Sequence, residues 1–353
     1  MNHRWTITLF LLAIFMTGNT QNAPVTSLAD YCNLQPGEVI IPVTVSAYNQ
    51  IGAGSLTLEY DPAVLNFIEG IKNPAITGFF GAGDNPVPSG MRRIMIGWFG
   101  NALSLPDGSA LLTLRFTFLG GTTNLTWIDD GSSCEYTDGQ YNALNDAPMP
   151  LYYQHGLATD HKCLNVEMCL EGLYDATNHR MISVVGAAPG PGYDGVADSV
   201  KVELHQQDDY AEVLFESQKK EVSTSGKCRV LVPPTLSDSY YLTVKHRNSI
   251  ATVSALPLQF SAPVIHYNFT DEAEKAFYAN MIQMADGKWA FYAGDVNQDG
   301  SVDTADMSPV DNDANIFAGG YLVTDINGDG MVDTGDMTIV DNNAAVFAGS
   351  FTP

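Results

Sequence analysis

From Pro24 to Ala158 apolar residues recur at alternate positions in short runs. VIIPVTV (39–45), SLTLEY (55–60), RIMIGWF (93–99), ALLTLRFTFL (110–119) and LTWI (125–128) carry the pattern. A period of two is that of a strand with one buried face. DP (61–62), NP (73–74), NPVPSG (85–90) and PDG (106–108) separate the runs and read as turns. About seven to nine short strands with little helical period predict a β-sandwich or jelly roll over 24–158.

The runs are more widely spaced from 162 to 270: LNVEMCLEGLY (164–174), VKVELHQ (200–206), CRVLVPP (228–234) and SYYLTVKHRNSI (239–250), with a Gly/Pro-rich turn at 186–195. This spacing predicts an immunoglobulin-like sandwich. A linker at 271–289 follows, with DEAEKAFYANM (271–281) as a short helix. After 290 the apolar residues sit singly among aspartates, and SPVDNDANIF (308–317) and TIVDNNAAVF (338–347) read as helices. Ser308 followed by Pro309 is a plausible start for the first of these. The fold class is mainly β, with two sandwiches followed by a small helical domain at 290–353.

At the N-terminus, His3 and Arg4 precede the apolar run TITLFLLAIFM. The run is too short to span a bilayer and suits a secretory signal over 1–22, cleaved between Gly18 and Ala23. Secretion, to the medium or to the cell surface, is expected, with no membrane span. The formal net charge of -24, from 40 acidic and 16 basic residues, opposes nucleic-acid binding and docking on an anionic membrane. Eleven aspartates and no Lys or Arg fall between Phe291 and Pro353.

Those aspartates form a repeat. DVNQDGSVDTAD (295–306) returns thirty residues later as DINGDGMVDTGD (325–336). Asp295, Asn297, Asp299, Gly300, Asp303 and Asp306 align with Asp325, Asn327, Asp329, Gly330, Asp333 and Asp336. They fall at positions 1, 3, 5, 6, 9 and 12 of a calcium loop, where side-chain oxygens converge and Gly permits the tight turn. Position 7, Ser301 or Met331, supplies a backbone carbonyl. Two calcium ions are therefore expected. An Asp/Gly-rich solvated turn is the alternative, and two copies keeping all six positions weigh against it.

Two resemblances follow from these motifs. YDPAVL (60–65), IMIGWFGN (94–101) and DGSALLTLRFTFLGG (107–121) resemble the cohesin family, whose fold is a nine-stranded jelly-roll sandwich related to some carbohydrate-binding modules. The duplicated loop-then-helix, with Asp at position 12 and no preceding helix, resembles the dockerin family, the modules that plug into cohesins. That resemblance implies calcium ligands at Asp295, Asn297, Asp299, Asp303 and Asp306, and at Asp325, Asn327, Asp329, Asp333 and Asp336. The helices depart from the family pattern, being acidic or amide-rich where dockerins carry Leu and Lys or Arg. LEGLYD (170–175) and YYLTVKHRNSI (240–250) are similar to a spacer common in secreted Bacteroidetes-type proteins. With the first sandwich bracketed by Cys32 and Cys134, that pair is expected to bridge, and Cys169 to pair with Cys228, leaving Cys163 over.

Catalysis is not expected. No nucleophile elbow, zinc-protease helix motif or phosphate loop occurs. Glu59 and Asp61 sit together at a strand end, where adjacent acids are common. His161, Cys163, Cys169 and His179 lack the spacing of a zinc site. The expected function is a non-catalytic binding and scaffolding protein that engages cohesin- or dockerin-type protein modules, in polysaccharide degradation or at the cell surface. The alternative is a carbohydrate-binding protein whose first sandwich grips glycan through Trp98 or Trp127.

Overall fold

The computed structural model describes residues 21–131, 133–184 and 195–353. The expected signal segment, up to residue 20, and nearly all of the Gly/Pro-rich turn at 186–195 lie outside the described residues. The chain is mainly β, with two sandwiches and two C-terminal helices.

Strict alternation builds the first sandwich. Along Gly37–Ser46, Val39, Ile41, Val43 and Val45 are buried while Ile40 is exposed. Its antiparallel neighbour Ser109–Phe118 turns Leu112, Leu114, Phe116 and Phe118 inward. With Tyr153–Gln154, Val25–Ser27 and Leu65–Lys72 these strands make a five-stranded sheet. A second sheet runs in the order Asp30–Tyr31, Gly156–Thr159, Thr122–Trp127, Ile51–Tyr60, Arg92–Leu103, Phe79–Pro86, with Glu135–Asp138 also on Ile51–Tyr60. Both contribute to one core that includes Tyr60, Trp98, Phe116 and Trp127.

Trp98 and Trp127 are therefore core residues and form no sugar platform. Glu59 is held by Arg93 at 2.9 Å, and Asp61 caps the following turn through Ala63 N at 2.8 Å. Both acids have structural partners.

In the second sandwich, a three-stranded sheet (Lys227–Val232, Lys162–Glu167, Val264–Asn268) shares a core with a six-stranded one. The larger sheet runs Val213–Glu216, Val196–Gln206, Ser239–His246, Ser249–Val253, with Lys220–Ser223 and Leu258–Gln259 attached. The stretch 271–289 packs down as part of this body: Ala276 and Met281 enter its core, as does Phe291 just beyond. It also lacks the expected helix. Two 3-10 turns, Ala273–Lys275 and Phe277–Ala279, are split by an extended Ala276 that bridges to Ser254. That tertiary pairing overrides local helix propensity.

The expected cysteine pairing is corrected. Cys32 bonds Cys163, with Cα atoms 5.8 Å apart, and joins the first sandwich to the first strand of the second. Cys134 is buried in the first core, where its thiol donates to Ile128 O at 3.2 Å and accepts from Thr57 N at 3.4 Å. Cys169 and Cys228 are buried and free. Burial pushes all three thiols up to about 12, so they stay protonated and unreactive. Among the described residues no helix is long and apolar enough to cross a membrane.

Candidate metal centre

The two loops are built alike. In the first, Asp295 accepts from the backbone N–H of Asp299 and Gly300, at 3.1 and 3.2 Å. Asn297 Oδ1 accepts from Asp299 N, and Asp299 Oδ1 from Ser301 N. Asp306 closes the loop: its Oδ1 accepts from Val296 N (2.9 Å) and Asn297 N (3.1 Å), its Oδ2 from Asp303 N (3.0 Å). The second loop repeats these contacts except the one from position 5 N to position 1, with Asp336 accepting from Ile326 N (2.6 Å), Asn327 N (2.9 Å) and Asp333 N (3.0 Å). Asp325 accepts from Gly330 N at 3.1 Å. Gly300 and Gly330 have φ of +89° and +91°, the left-handed conformation the turn requires.

Position 9 starts each helix. Asp303 caps Thr304–Ala314 (α1) and Asp333 caps Thr334–Ala345 (α2), each in a reciprocal capping box with position 12. The helix therefore begins before Ser308, and Pro309 lies inside α1. The loops are cross-linked as a pair. Val302 N donates to Ala348 O beyond α2, and Val332 N to Ala318 O beyond α1, both at 2.8 Å. Ser301 bridges Gly349 and Met331 bridges Gly319, so each position 7 is tied to the opposite repeat.

Burial divides the donors. Asp295 and Asp325 are 2% exposed and Asp306 and Asp336 fully buried, whereas Asn297, Asp299, Ser301, Asp303, Asp329 and Met331 are exposed. Asn327 and Asp333 are intermediate. Burial, then the charge of Asp306, pushes the Asp295 carboxyl up to about 6. Asp325 is also raised, by burial first and with Asp336 contributing. Its Oδ1 is buried without a hydrogen-bond partner. Among the described residues no three His, Cys, Asp or Glu side chains converge on one point. The loop acids are engaged mainly by backbone amides. The donor set, carboxylate and amide oxygens with no nitrogen or sulfur ligand, suits a hard cation. The residues weighed as a zinc group are apart in function: Cys163 is in the disulfide, His161 pairs with Asp160 and His179 with Asp286.

A buried polar knot, not evident from the sequence, lies where the second sandwich meets the second loop. Asp198 Oδ2 accepts from His246 Nε2 (3.0 Å) and Arg247 Nε (2.9 Å), and Oδ1 from Tyr321 Oη (2.6 Å). Arg247 also lies over the Tyr321 ring. Burial outweighs the carboxylate and pushes His246 below its ordinary range, with Arg247 and Lys219 adding to the fall. A depressed histidine favours the fold above its unfolded pKa of about 6.5, and that contribution is lost as pH falls through this value. For Asp198 burial acts upward, but the hydrogen bonds from His246, Tyr321 and Arg247 hold it well below the carboxylate range, so its share is lost only below about pH 4. Thermal melts should show the second sandwich losing stability between pH 7 and 5, with a flatter profile in His246→Asn. An unchanged profile in that variant would assign the loss elsewhere.

No protein-family model matches the chain, and no curated protein does. Solved structures with partial likeness include a non-cellulosomal cohesin from the archaeon Archaeoglobus fulgidus, 19% identical over 38% of this chain and 89% of that one, with a TM-score of 0.31. A type I cohesin–dockerin complex from Clostridium thermocellum is 14% identical over 39% of this chain and 99% of its own, TM-score 0.31. The seventh ScaB type I cohesin from Pseudobacteroides cellulosolvens is 12% identical over 39% and 92%, TM-score 0.29.

Proposed function

We propose that this is an exported, non-catalytic binding and scaffolding protein whose C-terminal repeat binds two calcium ions. The first would be held by Asp295, Asn297, Asp299, the Ser301 carbonyl, Asp303 and Asp306. The second would be held by Asp325, Asn327, Asp329, the Met331 carbonyl, Asp333 and Asp336. The observation that carries the reading is the twofold burial of a carboxylate at both ends of a loop, with Asp325 Oδ1 unpartnered. Two such charges about 4 Å apart repel by roughly 1 kcal/mol in water and several-fold more at a lower effective dielectric. Calcium supplies the positive charge that reverses this repulsion. The protein's own part is to fix the loop: positions 1 and 12 are set by backbone N–H groups, and position 9 by its helix.

The partner side of the reading rests on exposed apolar groups held by rigid elements. On the outer face of Arg92–Leu103 and Phe79–Pro86, Phe79 and Phe99 stack at 5.2 Å, and exposed Met95 lies further along the same face. Gly81, Gly83 and Gly97 leave this face flat. After each helix an exposed pair, Ile316–Phe317 and Val346–Phe347, repeats at the same offset, with both phenylalanines in the left-handed region. Such groups mark protein-docking surfaces. A cohesin- or dockerin-type protein module is the proposed partner, within polysaccharide handling or surface assembly. The glycan-gripping alternative has lost its tryptophans to the core.

Calorimetric titration of the mature protein with calcium should give two bound ions, and Asp295→Ala or Asp325→Ala one each. Phe99→Asp should leave both ions in place while abolishing capture of a partner by the first sandwich. No heat with calcium in the intact protein would overturn the metal reading, and undiminished capture by Phe99→Asp the docking face.

A further inference from the structure

The second sandwich holds the chain leading into each loop, but it grips loop 325–336 itself more firmly than loop 295–306. The clasp is the hairpin tip between Ser239–His246 and Ser249–Val253. Arg247 donates to the carbonyls of Leu322 and Asp325, the latter at 2.9 Å. Asn248 Nδ2 donates to Val323 O at 3.1 Å and Asp325 O at 3.3 Å. Four hydrogen bonds thus fix the chain leading into the second loop and the backbone of its first residue. From the other side, Gly172 lies so close to Ile326 O that any side chain there would collide with it. The lead-in to the first loop is held too, by Ile250 N to Tyr292 O, by Gly294 N to Asn248 O and by Ala293 N to Glu171, but within that loop the tip is reached only weakly, by Gln298 Nε2 to Ser249 O at 3.5 Å.

This asymmetry explains a difference between the repeats that calcium coordination leaves unexplained. Position 4 is Gln298 in one copy and Gly328 in the other. Both are left-handed, with φ of +60° and +70°. Gln298 is exposed, so a side chain is accommodated. Gly328 is buried, and a Cβ there would strike Leu173 and Val184 of the second sandwich. Glycine at 328 is what lets the sandwich close over the loop.

We infer that Arg247 and Asn248 are positioning residues for the second metal loop, which the sandwich holds ready before an ion arrives, making the two sites unequal in affinity. The inference rests on the calcium reading above. An ion entering a preset loop pays less ordering entropy than one entering a loop it must itself arrange. The guanidinium does not simply repel the cation, because Asp198 accepts from its Nε at 2.9 Å and offsets its charge. The coupling is reciprocal, so an ion in the second loop stabilises the contact with the sandwich.

The test uses calcium chloride, full-length protein and calorimetry in two backgrounds. Asp295→Ala leaves only the second site to be read, and Asp325→Ala only the first. Arg247→Ala should weaken the second site tenfold or more and change the first by less than about twofold. Asn248→Ala should act in the same direction with a smaller fold-change, and it carries the test if Arg247→Ala loses the circular dichroism of the folded sandwich. In the Asp295→Ala background, calcium should raise the melting temperature of the second sandwich, and Arg247→Ala should remove that rise. Equal weakening of both sites, no change at either, or tighter binding at the second would overturn the inference. A protein without these substitutions that takes up no calcium would instead overturn the reading beneath it.

Discussion

Replacing Asp336 with alanine is expected to unravel the second loop and the start of α2 even in the presence of a chelator. This effect is separable from loss of a metal ligand. The fully buried carboxylate accepts three backbone N–H bonds, from Ile326, Asn327 and Asp333. Alanine leaves those donors unpaired, and an unsatisfied buried donor costs about 1–3 kcal/mol. One of the three, from Asp333 N, is Asp336's half of the capping box, worth about 1 kcal/mol, and the other two cost about 1.5 kcal/mol each. The summed expectation is about 4 kcal/mol, a large fraction of a domain's net stability. Hydrogen exchange of the α2 amides, measured in EDTA, should show protection falling by about three orders of magnitude. Asp336→Asn keeps one acceptor oxygen and should lose about half as much free energy. Asp306→Ala should do the same to α1. By contrast Asp333→Ala removes only a partly exposed cap. Unchanged α2 protection in Asp336→Ala would mean that position 12 serves the ion alone.

These residues also mark what sequence can carry. The repeat was legible because six positions recur at a fixed offset, and the sandwiches because period-two burial is imposed along strands such as Gly37–Ser46 and Lys227–Val232. Helix starts were misplaced because Ser308–Pro309 is a good local start signal, while the actual one is a capping box between two aspartates that also read as ligands. The stretch 271–289 looked like a linker because its buried residues Ala276 and Met281 carry no period. Their burial is decided by strands distant in sequence. The difference between Gln298 and Gly328 is plain in the alignment, but its cause is Leu173 and Val184, some 150 residues away. Phe79 and Phe99 look like further core residues in a sequence, and only the register that pairs them places both on the outer face.

The disulfide carries the second large expected effect. Cys32 and Cys163 are 131 residues apart, and all of the first sandwich except the strands Val25–Ser27 and Asp30–Tyr31 lies inside the ring they close. Removing both thiols with Cys32→Ser and Cys163→Ser should cost up to about 5 kcal/mol on chain-entropy grounds. The mechanical consequence is larger still. A pull between the N-terminal segment and anything beyond residue 163 passes through the sulfur–sulfur bond, so it loads the second sandwich and, of the first, the strands Val25–Ser27 and Asp30–Tyr31, but bypasses the rest of the first. For a chain held at one end and loaded at the other, that takes the strands carrying Phe79 and Phe99 out of the direct line of force. Unfolding the ring would release roughly 450 Å of contour at about 3.5 Å per residue. Single-molecule stretching between the two ends should lack that step in oxidised protein and gain it with a reductant. Cys169→Ser and Cys228→Ser should leave the oxidised trace unchanged, since both thiols are free and buried. A step of this size in oxidised protein, or none after reduction, would show that the load does not run through this bond.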